Sequence, residues 1–96
     1  MSAVAVVLRA SHTHLYPGAR LHGSGITLRR GRQIEIEFSD LGHARARVEA
    51  AAGARATLAV SAHRTARGTS VAAKRWQLER QPGDDGWRVL RRSADD

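Results

Sequence analysis

The chain has 96 residues, a formal net charge of +7 at pH 7, no cysteine and only two Trp, one Tyr and one Phe. This length is enough for one small hydrophobic core and excludes two independently folded domains. The absence of cysteine excludes a disulfide framework and thiol chemistry, and it predicts an intracellular, bacterial setting with a cytoplasmic location.

The positive charge comes almost entirely from arginine. Of the 16 basic residues, only Lys74 is a lysine. Such an excess favours an acidic partner such as nucleic acid. Frequent Ala and Arg together with the absence of Asn are also typical of a GC-rich genome, so the sequence leaves open whether the arginine excess is functional or driven by codon usage.

The first predicted strand lies in the apolar run near the start of the chain. This run is too short to span a bilayer and no positively charged segment precedes it, so no membrane partner is expected. Val4, Val6 and Leu8 alternate on one face, and Val7 makes the opposite face apolar, which predicts cover on both sides. A loop rich in turn formers follows, with a short extended piece at residues 19–21.

Residues 25–40 have the period-2 alternation of a β-hairpin with one dry and one wet face. The apolar positions predict that Leu28 lies opposite Ile34 and that Ile26 lies opposite Ile36, with a loop at residues 30–32. A shift of one residue would place apolar side chains opposite charged ones.

Residues 41–63 allow two interpretations. A helix over 41–52 is compatible with the frequent Ala, and it would give an α+β roll. A strand is favoured, because the alternation repeats after residue 55 and sets Val48 opposite Leu58 across a three-residue loop at 52–54. In this register His43 lies opposite His63.

The last predicted hairpin joins two strands through the turn-forming residues 81–86. Aligning Leu78 with Trp87 and Trp76 with Val89 would bring the two indoles into diagonal contact. Because large aromatic side chains dominate small cores, we expect Trp76 to be mainly buried.

Successive hairpins in a short chain predict an all-β fold. We expect a small antiparallel barrel or sandwich of about six or seven strands. Residues 1–92 would form a single β domain, and residues 93–96 a frayed C-terminal tail.

No motif in the chain specifies catalysis or a cofactor. Residues 23–28 begin like a dinucleotide fingerprint, but they lack its third glycine and precede a strand instead of a helix. Asp40, His43 and either Ser39 or Ser61 make a triad on paper, without the sequence context of a nucleophile elbow. The chain is therefore not expected to be an enzyme, and no cofactor is predicted.

Three histidines are the candidates for metal ligands. His12 and His14 project to the same side of an extended chain, and His22 follows in the same loop region. No cysteine assists them, and no acidic residue precedes Glu35. We therefore predict no metal site.

The basic surface is the best candidate for a function. Arginines in an array bind phosphates bidentately, which predicts a small non-catalytic module that binds nucleic acid or another polyanion. The alternative is a protein-interaction domain, or one that self-associates through a strand edge, without nucleic-acid activity. The predicted polyanion-binding residues are Arg45, Arg47, Arg64, Arg67 and Arg75.

Overall fold

The computed structural model of the protein describes residues 6–10, 18–23, 27–39, 42–65, 67–81 and 86–94. These residues form nine strands: β1 (Val6–Ala10), β2 (Arg20–His22), β3 (Gln33–Glu37), β4 (His43–Ala52), β5 (Arg55–Val60), β6 (His63–Arg64), β7 (Ser70–Val71), β8 (Lys74–Arg80) and β9 (Gly86–Ala94). The described part of the chain contains no helix, and so no helix that could cross a membrane. The all-β prediction is confirmed, and the predicted helix over 41–52 is excluded because residues 43–52 form β4.

Seven of the strands form a closed barrel in the order β1-β2-β9-β8-β5-β4-β3, and β6 and β7 form a separate two-stranded ribbon. All barrel pairs are antiparallel except β1 with β3, which is parallel and closes the ring. The predicted small barrel is confirmed. It is a mixed barrel, because this parallel seam is not made by a hairpin.

Alternation along each strand sends one set of side chains into the barrel. On β4, for example, Ala44, Ala46 and Val48 are buried, whereas the residues between them are exposed. The largest side chains with under 2% exposure are Leu8, Leu21, Ile34, Ile36, Leu58, Leu78, Val48 and Val89. A barrel of this size is just wide enough for its own side chains. We therefore look for a functional site on the outer wall.

The predicted hairpin over residues 25–40 is wrong. Ile34 pairs with Val6 on one side and Ala46 on the other, so both edges of β3 are occupied by β1 and β4. Leu28 is buried as expected, but it lies in a turn region outside any strand, and Ile26 lies outside the described residues. Alternation shows which side chains face inward, but it does not identify the neighbouring strand.

The β4–β5 hairpin has the predicted pairing of Val48 with Leu58. A bulge between Val48 and Ala50 then shifts the register by one residue, so that Ala52 pairs with Arg55. The connecting loop therefore has two residues, and the predicted three-residue loop is wrong. Gly53 supplies the positive φ of 59° that this turn requires.

The predicted register of the last hairpin is wrong by two residues. Leu78 pairs with Val89 and Arg80 with Trp87, and the register shifts between Gln77 and Leu78. The indoles therefore lack the predicted diagonal contact. Trp76 is 3% exposed, which confirms that it is buried. In place of a second indole, the guanidinium of Arg80 lies over the ring of Trp87, with its Cζ 6.0 Å from the ring centroid.

The first and last strands of the chain differ from the sequence prediction in two details. The side chain of Val7 is 41% exposed, so the predicted cover on both faces of the first strand is wrong. The last strand runs to Ala94, two residues beyond the strand end expected at Arg92. Val4 lies outside the described residues, while the short extended piece near residue 20 is present as β2.

Candidate functional site

The outer wall formed by β3, β4 and β5 positions two of the predicted arginines. Arg45 lies opposite Glu35 of β3, and Arg47 lies between Gln33 of β3 and Ala59 of β5. Both arginines are exposed. Because they are two residues apart on one strand, they share a face with Cα atoms about 6.6 Å apart.

Two adjoining cavities follow these arginines. One, of about 300 Å³, is lined in part by Gln33, Arg45, Arg47 and Ser61. The other, of about 490 Å³, is lined in part by Arg30, Gln33 and Arg47. Because Gln33 and Arg47 belong to both, the cavities meet on the same wall, and Arg30 adds a third guanidinium at one end.

A third cavity continues in the opposite direction. It has a volume of about 290 Å³ and shares Arg45 and Ser61 with the first cavity. His43 and His63 also line it. Together the three cavities make an elongated depression along β4, which we call the outer groove. Its polar lining residues are Arg30, Gln33, Glu35, His43, Arg45, Arg47, Glu49, Ser61 and His63.

Within the described part of the chain, neither Arg45 nor Arg47 makes a side-chain ion pair. The carboxylates nearest to them have other partners. Glu35 Oε1 lies 3.1 Å from His43 Nδ1, and Glu49 forms an ion pair with Arg75 of β8. Two exposed guanidiniums on β4 therefore retain donors for an external ligand.

Arg75 lies on the same wall but is held by a carboxylate. Its Nε donates to Glu49 Oε1 at 2.7 Å. Ala59 of β5 lies between Arg75 and Arg47, each of which is its Cα partner. Since Ala59 has a short side chain, Arg75 reaches across β5 to Glu49 on β4. Arg75 lines none of the three cavities and is connected to the outer groove through its ion pair with Glu49.

Arg64 and Arg67 lie apart from the barrel wall. Arg64 pairs with Ser70 in the β6–β7 ribbon, and Arg67 lies in the turn that joins these strands. The Gly68 N–H donates to Thr65 O at 2.9 Å and closes this turn. Both arginines are exposed. The structure thus divides the five predicted arginines between the barrel wall and the ribbon.

His63 is fixed at the junction of the ribbon and the barrel. Its ring stacks on Phe38, with the centroids 5.4 Å apart and the ring planes 15° apart. Its Nδ1 lies 3.1 Å from Ser61 O, which orients the imidazole. Phe38 is buried, so one face of the His63 ring is covered by the barrel core.

The predicted cross-strand pairing of His43 with His63 is wrong. The β4–β5 ladder reaches Ala46 and Val60, and His63 then pairs with Val71 of β7. The reason is that the chain leaves β5 after Val60 and enters the ribbon. The two histidines nevertheless line the same cavity.

Of the three histidines considered as metal ligands, the structure describes only His22. His12 and His14 lie outside the described residues, and His22 is exposed on β2, beside Arg9. No group of three or more His, Cys, Asp or Glu side chains suited to a metal ion occurs within the described ranges.

The structure describes only part of the triad drawn from the sequence. Asp40 lies outside the described residues, and His43 has Glu35 as its carboxylate partner. No hydrogen bond joins His43 to Ser39 or Ser61 in the described structure.

Comparison of the chain with protein-family models, with curated proteins and with solved structures finds no match. The function therefore has to be argued from the residues of the outer groove.

Proposed function

We propose that the protein is a small non-catalytic module that binds a linear polyanion, such as nucleic acid, in the outer groove. The observation that carries this proposal is the pair of exposed guanidiniums of Arg45 and Arg47, which line adjoining cavities and have no ion-pair partner among the described residues. A groove that continues past both side chains suits a chain of phosphates better than a single anion.

The chemistry of the groove supports contacts to phosphate. Each guanidinium can bind two phosphate oxygens through parallel N–H donors. The amide of Gln33 and the hydroxyl of Ser61 line the same cavity and add neutral donors. Contacts of this kind position a nucleic-acid backbone without reading its bases, so little sequence preference is expected.

The alternative, a protein-interaction or self-associating domain, has less support. Closure of the barrel gives each of its seven strands a neighbour on both sides, so the paired parts of these strands offer no free edge. β9 pairs with β2 only over residues 86–88, and the short β6–β7 ribbon lies outside the barrel. Val7 is the one large hydrophobic side chain that is exposed in the described ranges. An apolar contact surface is therefore not evident on the described wall.

The test is a binding titration with single-stranded and double-stranded oligonucleotides at about 50 and 200 mM salt. Replacing both Arg45 and Arg47 by Ala should weaken binding at least about ten-fold, because two charge-assisted contacts are lost. The slope of log affinity against log salt should fall by about 1.4 for the single strand, or about 0.7 per phosphate contact.

The matched control is the double replacement of Arg91 and Arg92 by Ala. These exposed arginines lie on β9, separated from β4 by β8 and β5 in the barrel. The control changes net charge equally but should leave most of the affinity intact. Absence of binding at micromolar protein and low salt would reject the proposed function, and equal losses in both double variants would reject the outer groove as its site.

A further inference from the structure

We propose that the His63 end of the outer groove is a stacking site for one base of a single-stranded nucleic acid. The inference rests on the proposed function, because Arg45 and Arg47 would hold the phosphates that follow that base along the groove. It goes further by naming the ligand class: a strand with unpaired bases, in preference to a duplex or an inorganic polyanion.

The first support is the fixed position of the His63 ring. Phe38 covers one of its faces, and its Nδ1 lies 3.1 Å from Ser61 O. His63 is nevertheless only half-buried, and it lines a cavity of about 290 Å³. A planar ring held before the ligand arrives loses little conformational entropy on binding.

The second support is that His63 is joined to the arginines by the groove itself. Arg45 and Ser61 line both the histidine cavity and the cavity that contains Arg47. A base against His63 and a neighbouring phosphate on Arg45 would therefore occupy adjoining spaces. Stacking combined with a cationic groove is the usual way in which proteins hold single strands.

The third support is the absence of a competing surface in the described part of the chain. Trp76, Trp87 and Phe38 are all buried, so their faces are not open to a base. His43 is exposed and lies beside Glu35, but no ring stacks beneath it among the described residues. Of the rings along the groove, His63 alone has an aromatic support in the described structure.

The ligand class follows from this geometry. Bases in a duplex are stacked on each other and do not offer a free face at the wall. Inorganic polyphosphate has no base at all. Both ligands would still meet Arg45 and Arg47, so a contribution from His63 should distinguish the single strand from them.

The experiment compares the protein with its His63→Ala and His63→Phe variants. The probes are a labelled oligothymidylate of roughly ten nucleotides, a duplex of equal length and inorganic polyphosphate. His63→Ala should weaken binding of the single strand by about five-fold to a hundred-fold, the range for loss of one base stack. Binding of the other two probes should stay within about two-fold, and the salt slope for the single strand should not change because no phosphate contact is removed.

His63→Phe keeps an aromatic face and should retain single-strand affinity. The matched control His22→Ala removes an exposed histidine on β2, away from the groove, and should have no effect. Thermal melting of each variant checks that the barrel remains folded.

Two results would overturn the inference while leaving polyanion binding in place. One is unchanged single-strand affinity in folded His63→Ala, and the other is an equal loss for the single strand and polyphosphate. If the unaltered protein binds none of the three probes, both the inference and the proposed function fail.

Discussion

Trp76 is a large buried side chain whose indole N–H has no acceptor among the described residues. It is 3% exposed, and its indole Nε1 is buried with no hydrogen-bond partner among the described residues. Burying an N–H without an acceptor costs about 1–3 kcal/mol, which offsets part of the gain from burying the ring. The residue therefore stabilises the barrel through its ring and not through its nitrogen.

We therefore expect Trp76→Phe to be much less damaging than Trp76→Ala. The Ala variant should lose about 3–5 kcal/mol of unfolding free energy through the cavity that it leaves. The Phe variant should lose only about 1–2 kcal/mol, because removal of the unpaired N–H compensates for part of the lost volume. Urea unfolding followed by circular dichroism measures both values, and equal losses would contradict this account of the indole nitrogen.

At the scale of the strand, a bulge in β4 places the side chain of Glu49 at the outer groove. The register shift between Val48 and Ala50 makes Glu49 the extra residue of the strand. Bulges re-aim the side chain that they carry. Here the carboxylate is within 2.7 Å of Arg75 Nε and also borders the Arg47 cavity.

This arrangement predicts that Glu49→Gln strengthens polyanion binding. The change removes a negative charge from the groove and weakens the hold on Arg75. We expect an increase in affinity of about 1.4- to five-fold, which corresponds to the roughly 0.2–1 kcal/mol of an exposed ion pair. The oligonucleotide titration described for the arginine variants measures it.

Glu79→Gln is the matched control for this change. Glu79 pairs with Arg55 and Arg88, and neither arginine lines the outer groove. The control makes the same change in net charge and should raise affinity less than Glu49→Gln does. Weaker binding by Glu49→Gln would instead show that Arg75 must be held in place for the site to work.

The strands also show what alternation can and cannot predict. It gave the inward faces of β3, β4 and β5 and the outward direction of Arg45 and Arg47, because these depend only on the period of the chain. It could not identify β1 as the neighbour of β3, because an apolar face fits several partners. It also missed the bulge at Glu49 of β4 and the one in β9, where Leu90 is the extra residue opposite Gln77 and Leu78; neither has a local signature in this sequence.

The candidate site was only partly predictable for the same reason. The outward pattern of β4 indicated its arginines. Arg30 and Gln33 line the groove only because the turn before β3 and the start of β3 pack beside β4, which the pattern does not show. The stack of His63 on Phe38 joins two distant segments, and neither carries a motif that marks it. Tertiary placement, not residue type, makes these side chains neighbours.

At the scale of the whole molecule, the parallel β1–β3 seam closes the ring and protects strand edges. Val7 is suited to testing the seam, because it pairs with Glu35 of β3 while its side chain remains exposed. Changing this side chain removes little from the core. A backbone change at this position should therefore report on strand pairing.

We expect Val7→Pro to lower the unfolding midpoint and to cause self-association. Proline removes a backbone N–H and fits poorly within a paired strand, which would expose the edge of β3. Val7→Thr keeps the N–H and the β-branched shape and should keep the oligomeric state of the unaltered protein. Light scattering coupled to size exclusion measures the difference. A Pro variant with the same mass and stability as the unaltered protein would show that the seam does not protect this edge.

The pairing of β2 with β9 has a further consequence, for the order of folding. It joins Leu21 to Trp87, at opposite ends of the described chain, whereas β4 and β5 are connected by a short turn. Closing so long a loop has a high entropic cost before its contacts form. During synthesis the β4–β5 hairpin can form early, but the ring has to wait until β9 has left the ribosome. Topologies dominated by such distant contacts fold on the order of milliseconds to seconds. During this interval the unpaired strands of the new chain are exposed and can pair with other protein chains.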